Sequence, residues 1–277
     1  MLRIFVILLF LVVLSVQTVH ASPRTVALTP GAADMLLALG CEGSMVGRSG
    51  DCGPGLSALP DVGPYDRPSL EKTLALAPEL CVASADGTPP AFIRRLREQG
   101  KAVLTLEVRS FESLLAELRR LGDAMGCPVK AAEAVRQAEL RLRRAELRKQ
   151  ELRAGRHSPT VLFLVQEKPP MAAGPDTFIG ALIEKAGGRR ALAVRGEVLY
   201  PVLGREALAA LEPDIVLVAD MGAGGGRMPV RLAPADFPPE LAESRAYAVD
   251  ADLFTRPSLR ALGALDQLIE ILHAPPY

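Results

Sequence analysis

The sequence predicts an α/β fold of two lobes, each built on a mainly parallel sheet, joined by one long helix and separated by a ligand cleft. Short apolar strands alternate with helices along the chain, a pattern typical of parallel sheets with helices on their faces. The segment at residues 69–83 is echoed at residues 204–218, an offset of 135 residues that Tyr65 and Tyr200 also keep. Residues 130–154 lie between these copies and contain neither Pro nor Gly. The two lobes are therefore expected to be similar and Rossmann-like.

In the first lobe, the predicted strands are short apolar runs that end at loop-forming residues, and Gly or Pro ends most of the helices. Ser69 suits the N-cap of a helix that carries Glu71 in its first turn and ends before Pro78. The long segment at residues 49–68 is rich in Gly, Pro and Asp and indicates a binding loop. Strands are predicted at residues 24–28, 45–48, 80–83 and 102–106, and further helices at residues 32–39, 90–99 and 111–125.

The second lobe repeats this alternation after the long helix. A helix of about 25 residues would extend for about 37 Å, long enough to run along both lobes and to limit their hinging. The chain is accordingly divided into a first lobe at residues 22–127, the helix at 128–156 and a second lobe at 157–277. In the second lobe, strands are predicted at residues 160–165, 215–218 and 246–249, and helices at residues 178–186, 205–211 and 259–272.

Residues 1–21 are predicted to be a signal peptide. Arg3 precedes an apolar run at residues 4–16, and small residues at Val19 and Ala21 favour cleavage after Ala21. The mature chain is then exported, to the periplasm in a bacterium with two membranes. An uncleaved membrane anchor is the alternative interpretation.

Composition disfavours several classes of partner. The formal net charge is zero, which gives no indication of nucleic-acid binding, and Trp is absent, which disfavours a surface that stacks on sugars or bases. Four cysteines are present without a CxxC motif, so their spacing does not indicate a zinc site. Cys41 and Cys52 bracket a loop and are candidates for a disulfide in an oxidising compartment.

The sequence does not predict an enzyme. Apart from the leader, its histidines are His157 and His273, and neither lies in a sequence that resembles an active site. Two distant histidines also disfavour a resident metal, so neither a metal site nor a bound cofactor is expected. The glycine-rich segment at residues 222–226 follows a strand but lacks the Lys-Ser/Thr of a phosphate loop, and it is interpreted as a loop at the cleft rim.

Two equivalent glutamates indicate a docking surface. Glu71 and Glu206 each lie in the first turn of a helix, seven residues before a Pro. Compensation of the helix dipole explains either acid alone. As a pair, one from each lobe, they suit a two-fold partner with basic residues, for which ion pairs supply orientation.

Candidate cleft residues come from the loops that lead into these helices. Tyr65 and Tyr200 each offer a flat apolar face with a polar tip, six residues before the corresponding Glu. Asp51 shares the first loop, and Arg256 follows the last predicted strand. An arginine in the cleft would suit an anionic ligand, whereas a solvated arginine would have no such role.

Several motifs in the same order resemble the periplasmic solute-binding proteins that serve cobalamin and ferric-siderophore import. The Leu-Pro-Asp-Val-Gly-Pro-Tyr run at residues 59–65, followed by Ser-Leu-Glu at 69–71 and Leu-Ala-Pro-Glu-Leu at 76–80, is the most specific of them. The chain is also similar to the family at residues 24–30, 36–40, 173–178, 186–188, 248–250 and 256–257.

The resemblance implies a monomeric, non-enzymatic receptor that delivers a metal chelate to the permease dimer of an inner-membrane ABC importer. It implies that Glu71 and Glu206 dock onto arginines of the permease. The run at residues 46–52, which ends at Asp51 and Cys52, resembles the cobalamin branch, so a corrinoid is the predicted ligand.

Other ligands and roles remain open at this point. Arg48, Arg67 and Arg256 would suit a ferric siderophore, and Tyr65 or Tyr200 is a conceivable iron ligand for haem. A tetrapyrrole-related enzyme and an interaction protein without a ligand are further alternatives on the same fold.

Overall fold

The computed structural model describes residues 22–153, 157–192, 198–220, 228–230, 232, 237–242 and 244–273. The predicted signal peptide at residues 1–21 and the glycine-rich segment at residues 222–226 lie outside the described residues. The described chain forms two α/β lobes, as predicted.

The first lobe contains a four-stranded, fully parallel sheet in the order β2-β1-β3-β4. Its strands are β1 (Thr25–Ala27), β2 (Met45–Arg48), β3 (Leu80–Ser84) and β4 (Ala102–Leu106). Its helices are α1 (Pro30–Ala38), α2 (Leu70–Ala75), α3 (Pro90–Glu98) and α4 (Phe111–Ala124).

Capping residues fix where the helices of this lobe begin. The Thr29 hydroxyl accepts from the Ala32 N–H at the start of α1, where Pro30 occupies the first turn. The predicted cap at Ser69 is confirmed, because its hydroxyl accepts from the Lys72 N–H at 3.3 Å. At α4, the Ser110 and Ser113 side chains form a reciprocal capping box. Side-chain caps therefore fix the starts of three of these helices, whereas α3 begins at Pro90 without one.

The long helix α5 (Pro128–Arg153) contains 26 residues and is about 39 Å long at 1.5 Å per residue. It packs against α4 on one side and against the C-terminal helix on the other. The approach to α4 is close, since a Cβ at Gly122 would lie only 2.2 Å from the Ala131 Cβ. Its buried side chains are small, and they are Ala131, Val135, Ala138 and Ala145.

The second lobe is built on a mixed sheet with a parallel centre of β5, β8 and β10. Strands β6 and β9 pair antiparallel at its edges, and β7 pairs parallel with β5 beside β6. The strands are β5 (Thr160–Gln166), β6 (Met171–Ala172), β7 (Arg189–Arg190), β8 (Ile215–Asp220), β9 (Met228–Pro229) and β10 (Arg245–Asp250). The helices are α6 (Phe178–Lys185), α7 (Arg205–Ala209), α8 (Pro239–Ala242), α9 (Ala251–Phe254) and α10 (Ala261–His273).

The two lobes share a hydrophobic interior. Phe111 of α4 and Phe178 of α6 meet edge to face, with 5.2 Å between ring centroids, inside one cluster of buried residues that draws on both lobes. On the other side of the molecule, the Ser258 hydroxyl lies 3.3 Å from an oxygen of Asp34. These contacts add to α5 in restricting how far the lobes can separate.

The duplication seen in the sequence has a structural counterpart at the strand starts. The Glu79 carboxylate accepts from the Arg24 N–H at 2.8 Å, and the Asp214 carboxylate accepts from the Thr160 N–H at 2.7 Å. Glu79 follows Pro78 after α2, and Asp214 follows Pro213 after α7. In both lobes, an acid between the short helix and the next strand therefore accepts a hydrogen bond from the backbone at the start of the first strand.

The cysteine arrangement differs from the expected pairing of Cys41 with Cys52. All four cysteines are free thiols, and the Cys41 sulfur lies 3.3 Å from the sulfur of Cys127. Gly40, at φ +61°, turns the chain after α1 and directs Cys41 towards the corner between α4 and α5. Cys41 therefore lies next to Cys127 and not next to Cys52, because helix packing brings Cys127 close although it is distant in the chain.

Candidate ligand-binding cleft

The candidate cleft lies where loops leave the carboxyl ends of the parallel strands, the place where open α/β sheets bind ligands. In the first lobe, the loops after β2, β3 and β4 contribute, and in the second lobe the segment at residues 198–203 faces them. Direct bonds also cross between the lobes here, because the Arg256 guanidinium donates to the carbonyl oxygen of Asp51 at 3.0 Å.

The loop after β2 is ordered by one carboxylate and one guanidinium. The Asp51 carboxylate accepts from the Tyr65 N–H at 2.9 Å and from the Ser49 hydroxyl at 3.1 Å. The Arg48 guanidinium donates to the carbonyl oxygen of Leu56 at 3.0 Å and to two further carbonyls of the same loop. The loop, which includes a short 3-10 helix at Pro54–Leu56, thereby holds Tyr65 in a defined place.

Tyr65 is partly exposed and partly packed. Its residue is 42% exposed, and its ring lies beside Gly87, where an added Cβ would lie 3.3 Å from the Tyr65 Cδ2. Partial burial, together with the charges of Asp66 and Asp51, raises the pKa of Tyr65. The phenol is therefore a neutral, partly accessible group.

Tyr200 reaches the same region from the second lobe. Its segment runs beside β6, where the Gly174 N–H donates to the carbonyl oxygen of Leu199 at 2.8 Å. A Cβ at Gly174 would lie 2.7 Å from that oxygen, so a glycine is required for the approach. Burial, and to a lesser extent the charge of Asp86, raises the pKa of Tyr200 to about 12, and Tyr65 also contributes to this rise. The two predicted tyrosines thus approach each other from opposite lobes.

An ion pair that was not among the predicted site residues lies beside these tyrosines. The Arg109 guanidinium binds both carboxylate oxygens of Asp86, at 2.6 and 2.7 Å. Burial raises the pKa of Asp86, and the charge of Arg109 opposes that rise. Asp86 follows β3 and Arg109 follows β4, so the rule that ligands bind at the carboxyl ends of parallel strands was the signal that could have found them.

The remaining predicted cleft residues, Arg256 and Cys52, lie deeper. Arg256 is only 8% exposed, and its guanidinium lies 2.5 Å from a carboxylate oxygen of Asp252 as well as bonding to Asp51. Cys52 is buried, and this burial raises the pKa of its thiol to about 11 despite the opposing charges of Arg256 and Arg48. Their contact with a ligand stays a prediction, and in the structure both support the loop that carries Tyr65.

The predicted docking acids lie on the surface, away from this polar network. Glu71 is exposed in the first turn of α2, and Glu206 is exposed in the first turn of α7. The sequence offset of 135 residues is matched by equivalent positions in the two lobes.

The histidines occupy positions that do not suit a shared site. His157 is exposed, whereas His273 is buried with its Nε2 atom 2.8 Å from the carbonyl oxygen of Ala186. Within the described residues, no cluster of three His, Cys, Asp or Glu side chains could hold a metal ion. Across the same part of the chain, no helix is both long and apolar enough to span a membrane.

Comparisons with known proteins agree with the two-lobed geometry. The sequence profile of the family described as "Periplasmic binding protein" matches residues 25–249. A vitamin B12-binding protein of Photorhabdus laumondii is 26% identical over 271 residues, which cover 96% of this chain and 94% of that protein.

Solved structures give the same result for the fold. The periplasmic vitamin B12-binding protein of Vibrio cholerae superposes with a TM-score of 0.77 at 22% identity, over 91% of this chain and 97% of that one. A periplasmic haem-binding protein of Pseudomonas aeruginosa superposes with a TM-score of 0.78 at 26% identity, over 92% of this chain and 94% of that one.

Proposed function

This chain belongs to the periplasmic binding protein family, a family of non-enzymatic carriers, and we propose that it captures a corrinoid of the cobalamin type between its lobes. Proteins of this family are the substrate-binding components of ABC importers, which implies a small-molecule ligand and a membrane permease. The proposal adds the ligand class and delivery to the permease dimer of an inner-membrane importer.

The observation that carries the proposal is that Tyr65 and Tyr200 approach the same region from opposite lobes. Tyr65 is partly exposed, and the phenols of both residues, whose pKa values are raised further, are neutral at neutral pH. Neutral aromatic faces beside hydrogen-bonding groups suit a bulky planar macrocycle with a polar rim. The named relative from Photorhabdus laumondii supports the corrinoid among such macrocycles.

Delivery is proposed to depend on Glu71 and Glu206. Both acids are exposed at the start of equivalent helices, one in each lobe. An acid in each lobe suits a permease dimer that presents the same basic residues twice, so the ion pairs orient the receptor on its partner. The receptor is proposed to act as an exported monomer, cleaved after Ala21, in the periplasm.

A calorimetric titration of the mature chain, residues 22–277, with cyanocobalamin tests the ligand. A one-to-one isotherm of micromolar affinity or tighter, about −8 kcal/mol or better, supports the proposal. Parallel titrations use haemin and a ferric siderophore. Binding of an iron chelate without binding of cyanocobalamin would leave the receptor class intact and replace the ligand.

Haem is the second candidate, and one observation favours it. The Tyr65 side chain is accessible in the cleft, and a tyrosine oxygen is a known type of axial ligand for haem iron. The haem-binding structure from Pseudomonas aeruginosa is also 26% identical to this chain. Against haem, Tyr65 must lose its proton to become a strong iron ligand, and its surroundings oppose that loss.

A further inference from the structure

Three arginines near the cleft are bound to groups of the protein, whereas the Arg67 side chain is 82% exposed. Arg48 donates to backbone carbonyls of its own loop, Arg256 binds Asp252 and a backbone carbonyl, and Arg109 binds Asp86. An anionic ligand that required one of these guanidinium groups would have to compete with its present partner. These three guanidinium groups are therefore poorly prepared for a ligand whose rim carries carboxylates.

The Asp86–Arg109 pair is placed where a ligand rim would meet it. Both side chains follow strand ends, and they remain partly open, with 21% of the Asp86 side chain and 32% of the Arg109 side chain exposed. Tyr200 of the second lobe is close enough for both charges to affect its pKa. Gly87, next to Asp86, lies directly against the Tyr65 ring. The pair therefore lies between the two tyrosines proposed to contact the macrocycle.

An ion pair of this kind presents a donor and an acceptor side by side, and the exposed Glu107 carboxylate, 3.8 Å from the Arg109 Nε atom, adds a further negative charge beside it. Each carboxylate oxygen can accept a second hydrogen bond, and the guanidinium has N–H groups beyond the two that bind Asp86. A primary carboxamide also presents a donor and an acceptor side by side, so it can bind both partners without displacing either. A carboxylate offers no donor to Asp86 and is repelled by it.

We propose that the Asp86–Arg109 ion pair is a specificity element that selects a macrocycle fringed by carboxamides over one fringed by carboxylates. The inference rests on the proposed corrinoid function and refines it, because the corrin rim carries carboxamide side chains whereas haem carries propionates. The ion pair forms hydrogen bonds with the side chains of the ligand, while the tyrosines contact its ring.

Matched ligands test this idea without changing the macrocycle. Cyanocobalamin is compared by calorimetry with its monocarboxylic acid derivatives, in each of which one rim amide is hydrolysed to a carboxylate. The wild-type chain should bind the amide form about tenfold more tightly than the derivative whose acid faces the pair, the scale expected for one charge-assisted hydrogen bond.

Two variants should move this ratio in opposite directions. Asp86→Asn removes the repelling charge and leaves Arg109 available, so the acid derivative should gain relative to cyanocobalamin. Arg109→Gln leaves Asp86 uncompensated, so the acid derivative should lose further. Asp123→Asn, an exposed acid at the far end of α4, makes the same chemical change outside the cleft and should leave the ratio unchanged.

The outcomes separate this inference from the function on which it rests. If the wild-type chain binds cyanocobalamin and both cleft variants shift the ratio in the same direction, or not at all, the specificity role is wrong and the corrinoid function stands. If the wild-type chain does not bind cyanocobalamin, both fail. Thermal melts of the variants establish that each is folded. If only the isosteric Asp86→Asn folds, the absence of a gain by the acid derivative in that variant is enough to reject the specificity role.

A separate observation concerns two cysteines far from the cleft. The sulfur atoms of Cys41 and Cys127 lie 3.3 Å apart although 86 residues separate them in the chain. The backbone holds both cysteines in place. Cys41 follows the turn at Gly40, and Cys127 donates its N–H to the Gly122 carbonyl oxygen at 2.8 Å. The Lys130 ammonium also donates to the Gly40 carbonyl oxygen across the same contact.

We infer that Cys41 and Cys127 form a disulfide in the exported protein. A disulfide of a thiol oxidant accepts the electrons: the two cysteine S–H groups lose two protons and two electrons, one S–S bond forms, and the oxidant's S–S bond is cleaved to give two thiols. Burial and the neighbouring Cys127 raise the pKa of Cys41, so the reactive thiolate is scarce in the folded chain. The bond is therefore expected to form before α1 packs against the α4–α5 corner.

Refolding the chain with oxidised glutathione, followed by peptide mapping without reduction, tests this inference. The expected map contains one peptide pair joined through Cys41 and Cys127, and the same pair in Cys52→Ala. The melting temperature should fall by roughly 5 °C or more in Cys127→Ser or on reduction. A map that joins Cys41 to Cys52, or that leaves Cys41 free after oxidative refolding, would overturn the inference.

Discussion

Ala77 and Glu212, which lie 135 residues apart, share a left-handed backbone conformation, with φ of 45° and 40°. Each residue directly precedes a proline and closes the short helix whose first turn carries Glu71 or Glu206. A side chain with a Cβ atom is strained in this conformation. Two strained residues at equivalent positions show that the lobes repeat their backbone geometry at this corner, as well as their sequence. Both lobes therefore have the same backbone geometry at the end of the helix that carries a proposed docking acid.

Glycine at either strained position should stabilise the protein. Ala77→Gly removes the Cβ contact that the left-handed conformation imposes, and the gain should exceed the entropic cost of glycine by up to about 1 kcal/mol. Urea unfolding measures the change. Ala75→Gly, in the ordinary helical turn just before, is the control and should destabilise by about 0.5–1 kcal/mol. Equal losses in both variants would show that the left-handed corner carries no strain.

Reversing both docking charges should stop transport without weakening capture. In Glu71→Arg/Glu206→Arg, each acid would repel the basic residue proposed on the permease, while both positions lie on exposed helix starts outside the cleft. Ligand affinity is measured by calorimetry, and uptake is measured in cells that lack their own receptor. Glu98→Arg, an exposed acid at the end of α3, is the matched control. Normal uptake by the double variant would rule out the docking role.

The sequence predicted the main elements of the fold because each carries a local signal. Strands β2 and β4 have the predicted bounds, and Ser69 caps α2 as expected. The edge strands β6, β7 and β9 were missed because each is only two residues long and depends on pairing with a neighbour. Two residues carry no periodic pattern, so only the folded sheet defines such strands.

For the candidate site, the sequence predicted the loops that carry its residues more readily than the contacts between side chains. Tyr65 and Tyr200 were identified from their repeated position. The ion pair between Asp86 and Arg109 joins residues 23 positions apart, and it exists because β3 and β4 are neighbours in the sheet. The contact between Cys41 and Cys127 depends in the same way on helix packing. Local composition does not specify either contact.

Removing the buried Arg256 guanidinium should destabilise the chain more than removing an exposed one. Arg256→Leu leaves the Asp252 carboxylate without this cation and the Asp51 carbonyl without its donor from the second lobe. The expected loss is about 2 kcal/mol in the free energy of unfolding. Arg260→Leu removes a half-exposed guanidinium 3.8 Å from Asp34 and should cost less than about 1 kcal/mol. A smaller loss for Arg256→Leu than for this control would show that the bonds between the lobes contribute little to stability.

The pH dependence of stability should reveal the partly buried Asp34. Burial raises its pKa above the ordinary value of 3.8, although the charges of Arg260 and Arg256 oppose the rise. The folded chain therefore keeps this proton over a pH interval in which the unfolded chain has lost it, and stability falls as pH rises through that interval. Asp34→Asn lacks this loss, so its stability relative to wild type should increase as the pH rises above the ordinary pKa of an aspartate. Urea unfolding across this range measures the difference. A constant difference would exclude the proton linkage.

Variants of Tyr65 should separate a corrinoid receptor from a haem receptor. Tyr65 is partly exposed and is proposed to contact the ligand through its ring as a neutral phenol, so Tyr65→Phe should retain cyanocobalamin affinity within a few-fold, because the ring remains. Tyr65→Ala removes that ring and should weaken binding by about tenfold or more, the effect of roughly 1.4 kcal/mol. Iron ligation depends instead on the oxygen, so both variants would lose the same ferric absorption band with haemin. Calorimetry with cyanocobalamin and absorption spectra with haemin distinguish these patterns. A large loss of cyanocobalamin affinity in Tyr65→Phe would show that the hydroxyl, and not the ring face, makes the essential contact.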